Sequence, residues 1–318
     1  LALSTANPAG GAAAAPRTPV LGAARRRRGE DAIRVGLFLA ALLSVLTTVG
    51  IVFSLLKETL AFFGDVGVWD FITGTEWSPL FADPQFGVLP LITGTLLVTG
   101  LALIVAIPLG LGTAVYLAEY ATPRTRRTVK PFIELLAGVP TIVFGYFALT
   151  FFTPVVLNGL LGMDVPTFNA LSAGIVMGFM VLPTVASISE DAMSAVPASL
   201  REGAFGLGAN KLQVSLRVVF PAALSGIVAA IVLGVSRAIG ETMIVLVAAG
   251  QQPNFTADPR NSVETITTFI AATAKGDIAT GTTTYKTIFA VGMTLFIMTL
   301  LMNAIAIRFV RRYRQVYE

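Results

Sequence analysis

The 318-residue chain contains no cysteine and no histidine, and only 13% of its residues are charged. Without cysteine it has no disulfide framework and no thiolate metal site. Without histidine it lacks the commonest metal ligand, the commonest general base and the usual proton-relay group, so few routes to enzymatic chemistry remain. Also missing are a GxxxxGK[ST] loop to cradle the phosphates of ATP, an HExxH zinc helix and a GxSxG nucleophile elbow. Any ATP that drives this protein must be bound by another subunit, and no cofactor is expected on the chain itself. What is abundant is apolar: 55% of residues are hydrophobic and mean hydropathy is +0.79, outside the range of a soluble domain. An all-α integral membrane protein follows.

A membrane-spanning helix needs about 20 apolar residues. Six segments qualify, at about 35–56, 88–118, 132–153, 170–189, 222–249 and 287–307. The second exceeds the hydrocarbon thickness, so Pro108 is expected to kink it or end its membrane portion. Pro140 and Pro183 mark bends in the third and fourth. Ahead of the first span, residues 1–24 are rich in Ala, Gly and Pro and read as a disordered tail, which with Arg25–Arg28 makes a basic segment over residues 1–30. The 22 uncharged residues from Val35 to Leu56 are too long for the core of a cleaved signal peptide, so a retained helix is expected. Beside a span, the arginine run reads as a topology anchor rather than a nucleic-acid site.

Charge asymmetry gives the orientation. Arg17, Arg25–Arg28 and Arg34, then Arg124, Arg126, Arg127 and Lys130, then Arg201, Lys211 and Arg217, and finally Arg308, Arg311, Arg312 and Arg314 all fall on one side of the spans. The other side has only Lys57, Arg260, Lys275 and Lys286. The positive-inside rule then makes both termini cytoplasmic. The external loops, 57–87 and 250–286, hold Asp65, Trp69, Asp70, Glu76, Trp77 and Asp83 but no catalytic constellation. Trp69 and Trp77 read as interfacial anchors, or as part of a landing surface for an external partner.

The segment Ser199–Pro221 is a polar cytoplasmic stretch between two strongly apolar ones, within a loop over 190–221. Ser199 with Glu202 and Asn210 with Gln213 have capping-box spacing, and Gly208 suits a helix stop. Two short helices joined by a glycine turn are predicted, with Leu200, Ala204 and Leu207 on one face of the first and Leu212, Leu216, Val219 and Phe220 striping the second. Pro221 then opens the next helix. Such a pair either grips something outside the membrane or lies passively on its surface.

Inside the fifth span, Gly234-Val-Ser-Arg237-Ala-Ile-Gly240-Glu241-Thr-Met243 places two ionisable residues among apolar ones. At i and i+4 they are expected to share one helical face, turned to protein or a water-filled path. Sixteen residues separate Pro221 from Arg237, about 24 Å of helix, which sets the arginine well within the bilayer. Arg237 and Glu241 either neutralise one another for packing specificity, or Arg237 offers bidentate donors to an oxyanion while Glu241 orients or releases it. Glu134, near the cytoplasmic end of the third segment, reads as a snorkelling side chain.

Glu202-Gly203-Ala204-x-x-x-Gly208, followed after nine residues by Val218-Val-Phe-Pro221, resembles the E-A-A-x3-G-x9-I-x-L-P loop of ABC importer permeases. Gly203, Val218 and Phe220 depart from that pattern, while Glu202, Ala204, Gly208 and Pro221 match in register. Further stretches are similar to the C-type permease of phosphate-specific (Pst) importers: Phe71–Pro79, Leu89–Thr95, Pro108–Gly112, Glu134–Pro140, Ser189–Ala192 with Val196-Pro197, and Arg237–Met243. The A-type sister usually continues Gly-Glu-Thr with Ala-Pro-Leu, where this chain has Met243-Ile-Val. The resemblance implies a six-span type I importer permease with cytoplasmic coupling helices, paired with an A-type subunit in a prokaryotic inner membrane. It further implies two cytoplasmic ATPase subunits that hold ATP and Mg, and an external phosphate-binding protein. It makes Glu202, Gly203, Ala204, Gly208 and Pro221 coupling residues and Arg237 and Glu241 pathway residues. From the residues alone, a permease for sulfate or molybdate, or a stand-alone secondary transporter or channel, stays open.

Overall fold

In the computed structural model, residues 28–313 are described except residue 277. The expected disordered tail, with Arg25–Arg27, and Arg314 at the other end lie outside them, as do the side chains beyond Arg308. Helix α1 spans Arg28–Asp65, and two compact units meet within it, one up to Val52 and one from Phe53 onward. The second unit holds all the other elements. After α1 come α2 (Val68–Thr73) and α3 (Leu89–Val115), which runs on through a π-helical turn to Tyr120. Then follow α4 (Pro123–Ala137), α5 (Thr141–Phe147) with a π-helical continuation to Leu160, and α6 (Ala170–Ser194). The rest comprises α7 (Ala198–Gly206), α8 (Lys211–Val214), α9 (Phe220–Ala222), α10 (Leu224–Ile239), α11 (Met243–Ala248), α12 (Ile266–Ala274) and α13 (Thr283–Tyr313).

Among the described residues, five helices are long and apolar enough to cross a membrane: Glu30–Asp65, Leu89–Tyr120, Thr141–Leu160, Ala170–Ser194 and Thr283–Arg308. A sixth span exists if the pair Lys211–Ala222 and Leu224–Ile239, bent by 71°, counts as one. Two segments differ from the sequence reading. The run at 132–153 is not one helix, because Pro140, at φ −57° and ψ 132°, has left the helical region and a proline disfavours helix in the residue before it. α4 therefore ends at Ala137, without a buried residue, and the span starts at Thr141. The run at 222–249 is interrupted at Gly240–Thr242, so α10 and α11 are separate. Helix α3 carries Pro108 inside it and continues to Val115.

The core of the second unit is a pair of parallel helices in very close approach. Gly174 and Gly178, four apart on α6, face Leu101 and Val105 on α3, and a Cβ at Gly178 would stand 2.7 Å from that of Val105 and 2.8 Å from the Ala102 carbonyl. Small residues at this spacing let helix backbones touch where lipid offers no hydrophobic drive. α10 packs antiparallel on α6, with Gly226 against Ala192 and Gly234 against Val181 and Val185. Apolar residues Val98, Ala102, Ala106, Met177, Met180, Val181, Val185 and Ile244 fill the seam.

A second cluster closes the end that holds α2 and α12. Trp77 is 3% exposed, set edge-on to Phe71 and Phe269, with Phe62 behind. It is thus a core residue rather than an interfacial anchor; Trp69, 76% exposed, remains on the surface. The difference arises because residues 74–87 fold back as a hairpin, where Gly87 N donates to Glu76 O and Ser78 N to Gln85 O, carrying Trp77 inward.

Candidate functional site

The segment after α6 forms the predicted pair of short helices. Gly208, at φ +84°, turns the chain in the left-handed region where a Cβ is disfavoured. Asn210 and Gln213 make a true capping box, each side chain bonding the other's backbone N–H at 2.9 Å. Ser199 does not cap: Pro197 stands at the N-cap position and Ser199 is already inside α7. Leu200 and Ala204 pack beneath, against Met193, Val196, Val214 and Val219, whereas Leu207, 91% exposed, does not join their face. Leu212 and Leu216 also remain exposed although Val219 is fully buried. Together with Phe205 these side chains leave apolar surface on the pair, and Glu202 and Gly203 are exposed beside it. Pro221 lies in α9, immediately ahead of the 71° bend into α10.

Arg201, which sequence reasoning used only as a topology charge, turns out to anchor α7 to two spans. Its Nε and Nη2 donate to Glu119 Oε1 at 3.3 and 3.1 Å, its Nη1 to the Val196 carbonyl at 2.5 Å, and its Nη2 also to the Met193 carbonyl at 2.7 Å. Glu119 belongs to the π-helical end of the α3 span, Met193 to the last turn of α6 and Val196 to the turn that follows it, where the helix runs out of amides to bond its final carbonyls. Nothing in the sequence signals this contact, because Glu119 is 82 positions away.

The same end of α6 carries a second ionic cluster. Glu190, fully buried, accepts from Arg126 and from Lys130 at 2.6 Å, while Ser194 bonds both Glu190 and Arg126 at 3.0 Å. Lys130 also reaches Asp191 at 2.6 Å. Desolvation opposes the charge on Lys130, but Asp191 and Glu190 outweigh it and raise its pKa. The cluster ties α4 to α6. Glu134 is exposed on α4, along a cavity of about 660 Å³ that Arg126, Arg127 and Lys130 also line.

Arg237 and Glu241 are close in sequence but do not share a helical face. α10 ends at Ile239, and Gly240 and Glu241 turn out of it. The Glu241 carboxylate then accepts the backbone N–H groups of Met243 at 2.9 Å and Ile244 at 3.2 Å, capping α11. A carboxylate suits the unpaired amides of a helix start, which explains why the helix breaks at the glycine rather than continuing. The Glu241 carbonyl accepts from Thr267 at 2.7 Å, fixing the break to α12. Arg237 Nη1 donates to Thr184 Oγ1 at 3.0 Å, next to Pro183 in α6. Among the described residues no ion pair joins Arg237 to Glu241, so mutual neutralisation is not their arrangement. Thr184 lies ten residues from the Ser194 end of α6 and fourteen from the Ala170 end, or about 15 and 21 Å, which puts the guanidinium near mid-span.

Residues 106–315 match the family model described as binding-protein-dependent transport system inner membrane component. The chain is 34% identical over 92% of its length to a probable ABC transporter permease protein of Bacillus subtilis, covering 94% of that protein. It is 31% identical to the phosphate transport system permease protein PstC of Mesorhizobium japonicum, covering 84% of this chain and 85% of that one. It is 36% identical to PstC 1 of Mycobacterium tuberculosis, covering 76% and 81%. Among solved structures, a bacterial ABC transporter involved in alginate import matches with a TM-score of 0.64 at 19% identity, over 90% of this chain and 99% of that one. The MetNI methionine transporter, in an inward-facing conformation, matches at 0.53 and 19% identity, over 72% and 95%. The fold is that of type I ABC importer permeases.

Proposed function

Because the chain belongs to the family of binding-protein-dependent transport system inner membrane components, we propose that inorganic phosphate is its cargo: it is the permease subunit of an ATP-driven importer and works by alternating access. It is a multi-pass membrane protein and a transport subunit rather than an enzyme, working with other ABC subunits. Its full assembly on this reading comprises an A-type permease partner, two ATPase subunits that bind ATP and Mg, and an external phosphate-binding protein. The lysine and arginine asymmetry supports placing both termini and the α7–α8 pair on the ATPase side.

The observation that carries the cargo reading is Arg237. An arginine near mid-span is costly in lipid, by about 3 kcal/mol on insertion scales. Its one hydrogen bond among the described residues goes to a neutral hydroxyl, at Thr184. A guanidinium has five donors in a fixed fork, so most remain for an oxyanion. Glu241, committed to capping α11, does not compete for them; its charge disfavours a long-lived anion nearby and aids release. On the ATPase side, Phe205, Leu207, Leu212 and Leu216 offer apolar contact to a partner, while Glu202, Gly203, Ala204, Gly208 and Pro221 shape the segment that receives it. ATPase closure moves α7, and Arg201 passes that motion to the α3 and α6 spans as a rigid-body shift.

The test is phosphate uptake by assembled complexes in proteoliposomes. Arg237→Ala is expected to lower uptake by at least a hundredfold with assembly and ATPase binding intact, and Arg237→Lys to restore only part of it. Undiminished uptake in Arg237→Ala would refute the pathway role. Excess sulfate or molybdate should leave phosphate uptake unchanged; competition at equal concentration would assign a broader oxyanion cargo.

A further inference from the structure

At the end of the second unit away from Arg201, a cavity of about 390 Å³ opens between the 77–81 hairpin, residues 251–253 and α12. That volume lies within the range of small-ligand clefts, about 300–1,000 Å³. Its walls include Trp77, Phe81 and Phe269, with Gln251 at one side, and one of its lining residues is Glu264. Glu264 is only 6% exposed, and no hydrogen bond or ion pair to its carboxyl exists among the described residues. Its main chain cannot withdraw: its carbonyl abuts Gly94 of α3 so closely that a Cβ there would meet the oxygen at 2.3 Å. No lysine or arginine occurs among the described lining residues, and Glu264 is the only titratable one.

A buried carboxyl without a protein partner is expensive, and a proton or a bound cation lowers that cost. Desolvation raises its pKa to about 7, so near neutral pH the carboxyl is about half ionised and above it the carboxylate is available to a cation. An anionic ligand finds no positive charge in the cavity. A cation finds a carboxylate together with aromatic faces, the combination that receives ammonium and guanidinium groups. We propose that this cavity is a socket for one cationic group, a primary ammonium or guanidinium, held by the Glu264 carboxylate and the rings of Trp77, Phe81 and Phe269. Two sources supply that chemistry: a free organic cation, or a lysine or arginine side chain of the external binding protein. The second rests on the function proposed above; the first does not.

The chain has two tryptophans, so Trp69→Phe leaves Trp77, in the cavity wall, as the only indole reporter. Titrating that chain in detergent at pH 8 with methylguanidinium chloride, against potassium chloride as an ionic-strength control, should give a saturable change in Trp77 emission. Adding Glu264→Gln should abolish saturation while the melting temperature stays the same or rises. Lowering the pH from 8 to 6 should weaken binding about tenfold, because a group with a pKa near 7 is then mostly protonated. No saturable response at pH 8, or one that survives Glu264→Gln, would overturn the socket. To separate the sources, binding of the external protein to the assembled complex is measured with and without Glu264→Gln. A loss of at least tenfold in affinity, reproduced by competing methylguanidinium, assigns the socket to a protein side chain; unchanged docking alongside saturable methylguanidinium binding assigns it to a free cation. The titration uses no transport, so loss of phosphate uptake has no bearing on its outcome.

Discussion

If Arg201 carries ATPase motion into the membrane spans as proposed above, replacing it by methionine isolates that step. The side chain bonds Glu119 on the α3 span and two carbonyls, of Met193 and Val196, at the end of α6. Glu119 is 7% exposed at its side chain and Arg201 21%. Methionine approximates the length and apolar stem of arginine but leaves a nearly buried carboxylate without its cation. Removing one partner of a buried pair costs about 3–5 kcal/mol, and this one sits near the lower figure because its arginine is partly solvated. At about 1.4 kcal/mol per factor of ten, a loss of 3 kcal/mol in the linkage between α7 and the spans corresponds to roughly a hundredfold.

The expected result is continued ATP hydrolysis with at least a tenfold fall in phosphate imported per ATP, both read from the same proteoliposomes. A destabilised chain would lower assembly as well, so the double substitution Arg201→Met with Glu119→Met provides the control. Taking away both charges removes the orphaned carboxylate and should restore complex yield, since an apolar pair can replace a buried ionic one without loss. Coupling should stay low, because the bridge to α6 is still missing. Arg201→Lys should fall between, as a single ammonium cannot span one carboxylate and two carbonyls. Normal import per ATP in Arg201→Met, or full recovery in the double variant, would show that Arg201 only satisfies a charge.

The spans were legible because about 20 apolar residues in a row have few other uses, and the capped turn at Gly208 and Asn210–Gln213 was legible because capping is local chemistry. The third and fifth segments went astray at their breaks, where hydropathy is unchanged but backbone geometry is not: Pro140 takes a non-helical ψ, and Glu241 prefers the amides of Met243 and Ile244 to a place on α10. Composition windows carry no information on such points. Arg237 and Glu241 could be singled out from sequence as costly charges, yet their separation, Arg237 bonded to Thr184 and Glu241 capping α11 with its carbonyl held by Thr267 of α12, depends on residues far along the chain. Trp77 was misjudged, and the anchoring contacts of Arg201 were missed, for the same reason. Their partners, Phe269 and Glu119, are brought in by tertiary contacts that no local pattern encodes.

Three further predictions concern stability and partner binding. Gly208→Val should weaken co-purification of the ATPase subunits, because a side chain at φ +84° costs about 1–2 kcal/mol; no atom lies within 4 Å of a Cβ there, so Gly208→Asn, which tolerates that conformation, should retain binding. Retention by the valine variant would show that the turn is not needed. Gly178→Ala should lower the melting temperature of the detergent-solubilised chain, since its Cβ would meet the Ala102 carbonyl at 2.8 Å and force α3 from α6, and an unchanged value would contradict that close approach. The third is a pH dependence set by Glu264. Its carboxyl has a pKa raised from the model-peptide 4.5 to about 7 by burial, so between these values the folded chain binds a proton that the unfolded chain has released. The stability that this proton supplies is fully present below pH 4.5 and lost as pH rises through 7, an amount on the order of 3 kcal/mol from a shift of that size. Melting temperature measured from pH 5 to pH 8 should therefore fall more steeply for the native chain than for Glu264→Gln, which cannot ionise. Saturating methylguanidinium should restore stability at pH 8 in the native chain alone, because the cation then does what the proton does at pH 5. Parallel curves for the two chains would mean that the Glu264 carboxyl finds a compensating partner in solution and that its burial carries no linked proton.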